Sequence, residues 1–284
     1  MITGSSAGLG YQVARSCLSE GQTVVVTSRT VERATQAANQ LRKNLPDSKH
    51  ASVVPMQLDL ANFDSIERFA ESICERVGSW TTLVNNAGAK VEKPLKQTNQ
   101  GFEWHYGVNH LGHFLLTGLL LPSAEPGANI TSVSSITARK GQSGLWQKTY
   151  AELMQFSVGE LYASSKLANL VFALELNRRL DAAKLPMTSN AAHPGFARAE
   201  PYGPSGLRLV EYLLAQSSRA GSTPITLASD PKGSKSRAGE YYGPSVLELW
   251  GRPRQLQLPK SVQPHLGSEL WKLSEQQTGF SYLS

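Results

Sequence analysis

The chain has 284 residues, of which 40% are apolar and 18% are charged, a composition typical of a globular protein with one large core or two modest ones. The net charge of +6 is spread along the sequence in groups too small to indicate a nucleic-acid-binding surface. No apolar stretch approaches the roughly 18 residues that a membrane-spanning segment needs. The first residues also lack the charged and apolar regions of a secretory signal.

Cysteine and histidine usage argues against disulfides and against a metal site. Cys17 and Cys74 have neither metal-ligand spacing nor the pattern of a disulfide framework, which suits a reducing compartment. His105, His110 and His113 share one predicted helix but lack cysteine or carboxylate companions. We therefore expect a cytoplasmic protein with no bound metal.

Apolar, β-branched runs alternate with segments of helical periodicity along most of the chain. The predicted strands cover residues 23–28, 52–60, 81–88, 129–135 and 187–195. The predicted helices cover residues 9–20, 31–44, 63–77, 102–121 and 160–180. This alternation is typical of a parallel sheet covered by helices on both faces, so we predict a single doubly wound α/β domain over residues 1–284.

The two ends of the chain depart from this alternation. After about residue 203 the sequence is richer in proline, glycine and serine, which predicts helices and loops that form a lid or tail over the edge of the sheet. At the start only Met1 and Ile2 precede a glycine-rich turn, whereas a strand usually needs about five residues. We therefore predict that Met1 is not the natural start, and that about four or more apolar, β-branched residues precede it.

The stretch "TGSSAGLG", residues 3–10, lies where a first strand would pass into the first helix. Gly4, Gly8 and Gly10 permit a tight turn and let the backbone approach a pyrophosphate, which then meets the positive end of the helix. Such a turn alone is weak evidence. Its position before a helix and a β-branched strand favours a Rossmann-type nucleotide site over a plain loop.

The end of the next strand indicates which nucleotide binds. Sites that prefer NAD usually place an acidic residue here, which hydrogen-bonds the ribose hydroxyls. This chain has Ser28 followed by Arg29, and a guanidinium can pair bidentately with the 2′-phosphate of NADP. We therefore predict NADP(H) as the cofactor; the alternative is an exposed arginine that only ends the strand.

A tyrosine and a lysine share one face of the helix predicted over residues 160–180. Tyr162 and Lys166 are four residues apart, so their side chains emerge one helical turn from each other. Most such pairs are surface residues without a catalytic role. A catalytic interpretation of the pair therefore depends on motifs elsewhere in the chain.

Five motifs occur in a fixed order: the glycine-rich turn, "NNAG" at 85–88, Asn109 within "GVNHLGHF", "VSS" at 133–135 and "YASSK" at 162–166. Together they resemble the ordered signature of the short-chain dehydrogenase/reductase family over about residues 1–200. The "RT" after Ser28, the "SKLANLVFALEL" helix and "HPG" at 193–195 further resemble one branch of that family. This branch contains retinol dehydrogenase-like and protochlorophyllide reductase-like enzymes.

The resemblance implies a catalytic set of Asn109, Ser135, Tyr162 and Lys166. Tyr162 would act as the acid/base, while the ammonium of Lys166 would lower the pKa of the phenol and hydrogen-bond the nicotinamide ribose. Ser135, rather than the neighbouring Ser134, would hold the substrate oxygen. Asn109 would hold a water that links Lys166 to solvent.

The same resemblance implies which residues contact the dinucleotide. They are Gly4, Ser6, Gly8, Leu9, Gly10, Arg29, Asp59, Leu60, Asn86, Ala87, Gly88, Tyr162, Lys166, Pro194 and Gly195. The family usually has a cofactor-binding threonine four residues past this last glycine, whereas this chain has Ala199.

The segment between Ser135 and Tyr162 is longer than in compact members of the family. Residues 136–161 contain several apolar side chains, among them Trp146 and Phe156. We predict that they form one wall of a pocket for a bulky apolar substrate. The alternative is a surface flap that packs on itself.

These features predict an NADP(H)-dependent oxidoreductase that interconverts a carbonyl and an alcohol on a small to medium apolar molecule, working as a reductase in the cell. Two alternatives stay open: an NADPH-dependent reductase of carbon–carbon double bonds, as in the protochlorophyllide reductase branch, and a catalytically idle NADP(H)-binding scaffold protein. The resemblance also leaves open a homodimer, paired through the two long helices beside the site, and a membrane anchor upstream of Met1. No nucleic-acid partner is predicted.

Overall fold

A computed structural model describes residues 1–44, 52–89, 95–198, 215–230 and 238–283. The strands are β1 (Val24–Ser28), β2 (Val53–Gln57), β3 (Trp80–Asn85), β4 (Ala124–Val133), β5 (Thr188–Ala192), β6 (Tyr241–Val246) and β7 (Trp250–Gln255). Their order across the sheet is β2-β1-β3-β4-β5-β6-β7, with the first residues of the chain between β1 and β3. The strands pair in parallel except for β6 and β7, which form an antiparallel hairpin.

The first strand is reduced to one pairing residue. Ile2 pairs in parallel with Val26 of β1 and Val84 of β3, and its N–H donates to the carbonyl oxygen of Val25 at 3.2 Å. The N–H of Thr3 then donates to the carbonyl oxygen of Val84 at 2.9 Å. Ile2 thus joins β1 and β2 to the other strands and leads directly into the glycine-rich turn.

The helices are α1 (Gly8–Ser19), α2 (Val31–Lys43), α3 (Phe63–Arg76), α4 (Trp104–Tyr106), α5 (Gly112–Leu120), α6 (Tyr150–Leu153), α7 (Val158–Ala182), α8 (Ser218–Ala228) and α9 (Leu266–Thr278). A π-helical turn, Gly107–Leu111, joins α4 to α5. In the part of the chain that the structure describes, no helix combines the length and the apolar character needed to cross a membrane.

Helices cover both faces of the sheet. On one face, α1, α2 and α8 bury apolar side chains such as Leu18, Leu41 and Ile225. On the other face, α3, α5, α7 and α9 enclose a larger core that contains Phe114 and Phe172. Removal of this apolar surface from water is the main force that holds the helices on the sheet. The predicted doubly wound, Rossmann-type α/β fold is confirmed.

The C-terminal helix α9 lies on α5 and α7. The ring of Trp271 stacks on Phe172, with 5.9 Å between ring centroids, and meets Phe114 edge-on at 5.1 Å. A Cβ on Gly118 would lie 2.6 Å from the ring of Tyr282, so the C-terminal segment packs where only glycine leaves room. Helix α9 and the C-terminal segment therefore cover one face of α5 and α7.

The prediction that the C-terminal tail contains only helices and loops is wrong. The tail supplies β6 and β7, and Tyr241 and Tyr242 of β6 are buried. Pro244 and Pro253 pair across the hairpin at the edge of the sheet. Proline is tolerated at an edge because fewer ladder hydrogen bonds are required there, but in the sequence it obscures the strand pattern. Residues 203–214 of the predicted tail lie outside the described residues.

The single helix predicted over residues 102–121 is interrupted. After the short helix α4 the chain enters the π turn, in which the N–H of Gly112 donates to the carbonyl oxygen of Gly107, five residues earlier. Such a turn inserts one residue into a helix and is frequent at functional sites. Asn109 stands in the middle of it.

Candidate active site

The glycine-rich turn packs directly against the turn that follows β3. Gly4 and Gly8 have φ angles of 60° and 59°, in the left-handed region that favours glycine. A Cβ on Gly4 would lie 2.9 Å from the Cα of Ala87, and a Cβ on Gly10 would lie 2.5 Å from Nδ2 of Asn86. Side chains at these positions would force the two turns apart.

Helix α1 begins immediately after this turn, and no side chain caps its first N–H groups. Its N-cap is Ala7, whereas Thr30 caps α2 and Asn62 caps α3. Uncapped donors at the positive end of a helix suit an anion such as a pyrophosphate. Ser6 and Leu9, two of the predicted cofactor contacts, lie half-buried at this helix start.

Arg29, Asp59 and Leu60 lie at the ends of two neighbouring strands. Arg29 is exposed directly after β1, and its carbonyl oxygen accepts from Nε2 of Gln57 at 3.0 Å. The carboxylate of Asp59 accepts from the N–H of Ala61 at 3.0 Å, which shapes the loop after β2, and Leu60 is buried. Because the strands are parallel, these residues lie at the carboxyl-terminal ends of the strands, as does the glycine-rich turn.

Thr3 is a site residue that the sequence analysis did not identify. Its Oγ1 accepts from the N–H groups of Asn86 and Ala87, both at 2.9 Å. Nδ2 of Asn86 donates in return to the carbonyl oxygen of Thr3 at 2.8 Å. These bonds fix the NNAG turn, residues 85–88, to the glycine-rich turn. The hydroxyl residue directly before the first glycine is the pattern that could have indicated this role.

Lys166 is buried beside the NNAG turn. It is 3% exposed, and its Nζ donates to the carbonyl oxygen of Val133 at the end of β4, at 2.9 Å. Burial lowers the pKa of Lys166 to about 8. A Cβ on Gly88 would lie 3.1 Å from this Nζ and 3.7 Å from Oδ1 of Asn109. Glycine at position 88 therefore keeps space in front of the ammonium.

Tyr162 does not have the lowered pKa that the sequence analysis predicted. Burial raises the pKa of its phenol, and a hydrogen bond from the Ser135 hydroxyl opposes that increase. Nζ of Lys166 lies 5.9 Å from the centroid of the ring and bonds to Val133. The phenol therefore keeps its proton at neutral pH, which suits a group that donates one.

The two serines after β4 make different contacts. The hydroxyl of Ser135 faces Tyr162 and also accepts from the N–H of Thr137 at 3.2 Å. The hydroxyl of Ser134 is buried and donates to the carbonyl oxygen of Lys166 at 2.7 Å. Ser135 is thus the serine whose hydroxyl lies beside the phenol.

Asn109 is buried, and its side chain bonds to two elements. Oδ1 accepts from the N–H of Ala89, and Nδ2 donates to Oγ of Ser165, both at 2.9 Å. Ser165, which the sequence analysis did not single out, donates to the carbonyl oxygen of Tyr162 at 2.8 Å. The structure therefore brings together the four predicted catalytic residues, Asn109, Ser135, Tyr162 and Lys166.

Pro194 and Gly195 follow β5, also at the carboxyl-terminal ends of the strands. Gly195 has a φ angle of 69°, and a Cβ on it would lie 2.5 Å from the carbonyl oxygen of Leu249 in the β6–β7 hairpin. Nε2 of Gln216 donates to the carbonyl oxygen of Pro194 at 2.6 Å. The hairpin and the segment before α8 thus hold this loop. Ala199 lies outside the described residues.

Comparison with known proteins shows which family has this arrangement. The family profile described as short chain dehydrogenase matches residues 1–203. The chain belongs to the short-chain dehydrogenase family. It is therefore classed with oxidoreductases, and the predicted family resemblance is confirmed.

Curated relatives of this short-chain dehydrogenase include two retinol dehydrogenases. Retinol dehydrogenase 14 of Mus musculus is 33% identical over 301 residues, which cover 98% of this chain and 85% of the relative. Retinol dehydrogenase 12 of Homo sapiens is 34% identical over 260 residues, which cover 89% of this chain and 79% of the relative. Within its family the chain is thus retinol dehydrogenase-like.

The fold of this short-chain dehydrogenase also matches solved structures. A short chain dehydrogenase from Burkholderia cenocepacia J2315, solved in complex with NADP, superposes with a TM-score of 0.65. The match covers 84% of this chain and 93% of that chain, at 20% sequence identity. At this identity the likeness concerns the fold.

The cofactor of the family is a nicotinamide dinucleotide, and the site has features that fit one. The uncapped start of α1 provides N–H donors for a pyrophosphate. The missing Cβ of Gly88 leaves room beside the Lys166 ammonium, where a ribose hydroxyl could accept a hydrogen bond. The exposed Arg29 lies at the end of β1, on the strand that borders the glycine-rich turn.

The inserted segment 136–161 packs mainly on the protein itself. The ring of Trp146 is buried, and its Nε1 donates to the carbonyl oxygen of Ser164 at 2.9 Å. Phe156 packs on a small apolar cluster of the same segment. Part of the segment borders a cavity of about 490 Å³ that also reaches Tyr106, but the four predicted catalytic residues are not among the described residues that line it. Substrate contact by this segment stays a prediction.

Proposed function

We propose that the protein uses NADPH to reduce the carbonyl group of a small to medium apolar molecule, and catalyses the reverse oxidation with NADP. One observation carries this proposal: the hydroxyl of Ser135 lies beside the phenol of Tyr162, and the ammonium of Lys166 lies 5.9 Å from the centroid of the same ring. A proton donor and a second hydroxyl at one point are what a carbonyl oxygen needs as negative charge develops on it.

The four residues of the predicted catalytic set have different roles in this mechanism. Tyr162 gives its phenolic proton to the substrate oxygen, while Ser135 donates a hydrogen bond to that oxygen. The positive charge of Lys166 stabilises the phenolate that is left. Asn109, through Ser165, fixes the turn of α7 that carries Tyr162, and a water between Asn109 and Lys166 returns the proton. The bound dinucleotide supplies the hydride.

The charge state of the phenol supports the reductive direction that we propose. Burial raises the pKa of Tyr162, so the residue begins the cycle protonated at neutral pH. Carbonyl reduction consumes that proton, whereas alcohol oxidation requires the phenolate first. The resting state of the site therefore supports reduction.

Two observations support an apolar substrate. The curated relatives are named for retinol, an apolar alcohol. Leu161, the neighbour of Tyr162 in the chain, packs with Leu145 and Leu153, so the apolar cluster of the inserted segment includes the residue next to Tyr162 in sequence. On this basis we propose that residues 136–161 form one wall of the substrate pocket.

The test of the function is a substrate panel. Purified protein is mixed with NADPH and apolar aldehydes, ketones and quinones, retinal among them, and the products are identified by mass spectrometry. We expect alcohols formed in equal amount to the NADPH oxidised. A product that keeps its carbonyl but gains two hydrogens at a carbon–carbon double bond would show the alternative reductase activity. Tight NADPH binding with no turnover of any compound would favour the idle scaffold.

Arg29→Ala is expected to weaken NADPH binding by roughly 1.5–3 kcal/mol, the value of a charge-assisted hydrogen bond, and to leave NADH binding nearly unchanged. The reason is that the two cofactors differ only in the 2′-phosphate that we assign to Arg29. Dissociation constants from fluorescence titration check this, with Arg68→Ala, an exposed arginine of α3, as the control. Equal losses for both cofactors would mean that Arg29 only supports the fold.

The covered face of α5 and α7 bears on the predicted homodimer. Two chains that paired through these helices would have to displace α9 and the segment around Tyr282. We therefore propose that this face is not a dimer interface. Chemical cross-links between α5 or α7 of two chains, with α9 still seated in each, would contradict this.

A further inference from the structure

A histidine outside the predicted catalytic set links the glycine-rich turn to the π turn. His113 lies in the first turn of α5 and is 2% exposed. Its Nδ1 is 2.9 Å from the carbonyl oxygen of Asn109, and its Nε2 is 2.8 Å from Oγ1 of Thr3. The ring of His113 thus contacts both the glycine-rich turn and the π turn, which lie on either side of the NNAG turn.

These contacts favour one arrangement of protons. A carbonyl oxygen only accepts hydrogen bonds, so Nδ1 of His113 must carry a proton. Burial, reinforced by the nearby ammonium of Lys166, lowers the pKa of His113 to about 4, although its bond to Asn109 opposes the decrease. The ring is therefore neutral, and Nε2 accepts from the hydroxyl of Thr3. The other acceptor within reach of that hydroxyl, the carbonyl oxygen of Val84, is farther away at 3.3 Å. Both lone pairs of that hydroxyl stay available for the two N–H groups of the NNAG turn.

His113 closes a ring of hydrogen bonds around the NNAG turn. Thr3 holds the first half of that turn, and Asn109 holds its far end by accepting from the N–H of Ala89 at 2.9 Å. Because His113 bonds to both Thr3 and Asn109, the two anchors keep a fixed separation. Gly88, which borders the Lys166 ammonium, lies between them.

We propose that His113, with its proton on Nδ1, is a positioning residue that keeps Asn109 and the NNAG turn in register, and with them the space in front of Lys166. It acts through these groups and reacts with neither substrate nor cofactor. The π turn has an interrupted pattern of helical bonds, so a side-chain link stabilises its position. Without that link the two turns shift independently, and a displacement of about 1 Å can lower a rate about 10²-fold.

Three substitutions separate the two bonds of His113. In His113→Asn the amide nitrogen replaces Nδ1 and keeps the bond to Asn109, whereas in His113→Gln the amide oxygen reaches towards Thr3. His113→Phe keeps a ring but makes neither bond. His110→Phe is the matched control, because His110 is also a buried histidine of the same helical segment, but its Nε2 bonds to Ser274 of α9 at 2.7 Å.

The first measurement needs neither cofactor nor substrate. Nitrogen NMR of protein labelled in its histidine rings reports which ring nitrogen carries the proton, and the signals missing from His113→Asn identify His113. We expect protonation at Nδ1 alone at neutral pH. A proton at Nε2 alone, or at both nitrogens, would overturn the proposal.

The second measurement compares catalysis with NADPH binding. His113→Phe is expected to lower kcat by about tenfold to a hundredfold, to leave KM for the carbonyl compound nearly unchanged, and to weaken NADPH binding by about tenfold. His113→Asn should recover most of both losses, and His113→Gln less. His110→Phe should match the unmodified protein in kcat and NADPH affinity, even though it melts earlier.

Two results would contradict the positioning role: equal losses in His113→Asn and His113→Phe, or a loss in His110→Phe as large as that in His113→Phe. The kcat comparison rests on the proposed function, whereas NADPH affinity and the NMR measurement do not. Absence of turnover in the unmodified protein would therefore count against the proposed function. The other two readouts would still decide the role of His113.

Discussion

Replacing Tyr162 with phenylalanine is expected to lower kcat for carbonyl reduction by about 10²–10⁴-fold, the usual contribution of general acid–base catalysis. The variant keeps the ring, which meets His105 edge-on at 6.0 Å, and loses only the hydroxyl that lies beside Ser135. NADPH affinity and melting temperature should therefore change little. Single-turnover kinetics with NADPH and the best carbonyl compound of the panel measure the loss.

The control for this substitution is Tyr282→Phe. It also removes the hydroxyl of a half-buried tyrosine, one that donates to the carbonyl oxygen of Phe114 at 3.2 Å, away from the site. We expect unchanged kcat in this variant. Near-normal turnover in Tyr162→Phe, or an equal loss in both variants, would remove Tyr162 from the mechanism.

Lys166→Met is expected to lower kcat by about 10²–10³-fold, the usual effect of removing one electrostatic stabiliser from an active site. The methionine fills similar space but carries no charge to stabilise the phenolate of Tyr162. KM for NADPH should rise as well, because the proposed bond to the nicotinamide ribose is lost. Lys272→Met, at an exposed lysine of α9, is the control and should keep both constants. Unchanged kcat in Lys166→Met would exclude the ammonium from the reaction.

Near neutral pH, Lys166→Met should not lower the free energy of unfolding, although it lowers kcat. The pKa of Lys166 is about 8 in the folded protein against an ordinary value of 10.5, so between these pH values the unfolded chain holds the proton and the folded chain does not. The free energy of unfolding therefore rises with pH across this window. At 1.36 kcal/mol per pKa unit, the gain is about 3 kcal/mol, and Lys166→Met lacks it.

Urea unfolding of both proteins at several pH values tests this expectation. Near pH 7 the variant should be as stable as the unmodified protein or more stable, because a buried ammonium is removed and Asn169 still donates to the carbonyl oxygen of Val133 at 3.0 Å. Above pH 8 the unmodified protein should gain stability relative to the variant. A constant difference between the two proteins from pH 7 to pH 10.5 would show that the pKa of Lys166 is not lowered.

The elements that the sequence predicts well are those whose pattern is local. Helices α1, α2 and α3 begin and end within one residue or so of the predicted ranges, because apolar periodicity and turn residues mark them directly. The glycine-rich turn is equally local, since its positive φ angles demand glycine whatever lies around it. The spacing of Tyr162 and Lys166 fixes that both lie on one face of α7.

The elements that the sequence misses are those that depend on neighbours. Pro253 lies in the edge strand β7, and Pro244 lies in β6 beyond the residues that pair with β5, so the position of the hairpin in the sheet makes both prolines acceptable. The π turn around Asn109 leaves no mark in the apolar pattern of residues 102–121, which is buried on nearly all sides. A helix is normally predicted from the contrast between its apolar and polar faces. A segment that is buried on all sides has no such contrast, so the sequence does not show where its helix is interrupted.

By itself the sequence determined the alternation of strands and helices and the position of the glycine-rich turn, and its family resemblance implied the set of Asn109, Ser135, Tyr162 and Lys166. Only the tertiary structure decided that the pKa of the phenol rises rather than falls, since that depends on burial and on the bond from Lys166 to Val133. It also decided that His113 bonds to Thr3, which is 110 positions away in the chain. Desolvation and long-range contacts arise only when the whole chain has packed, so no local pattern of residues encodes them.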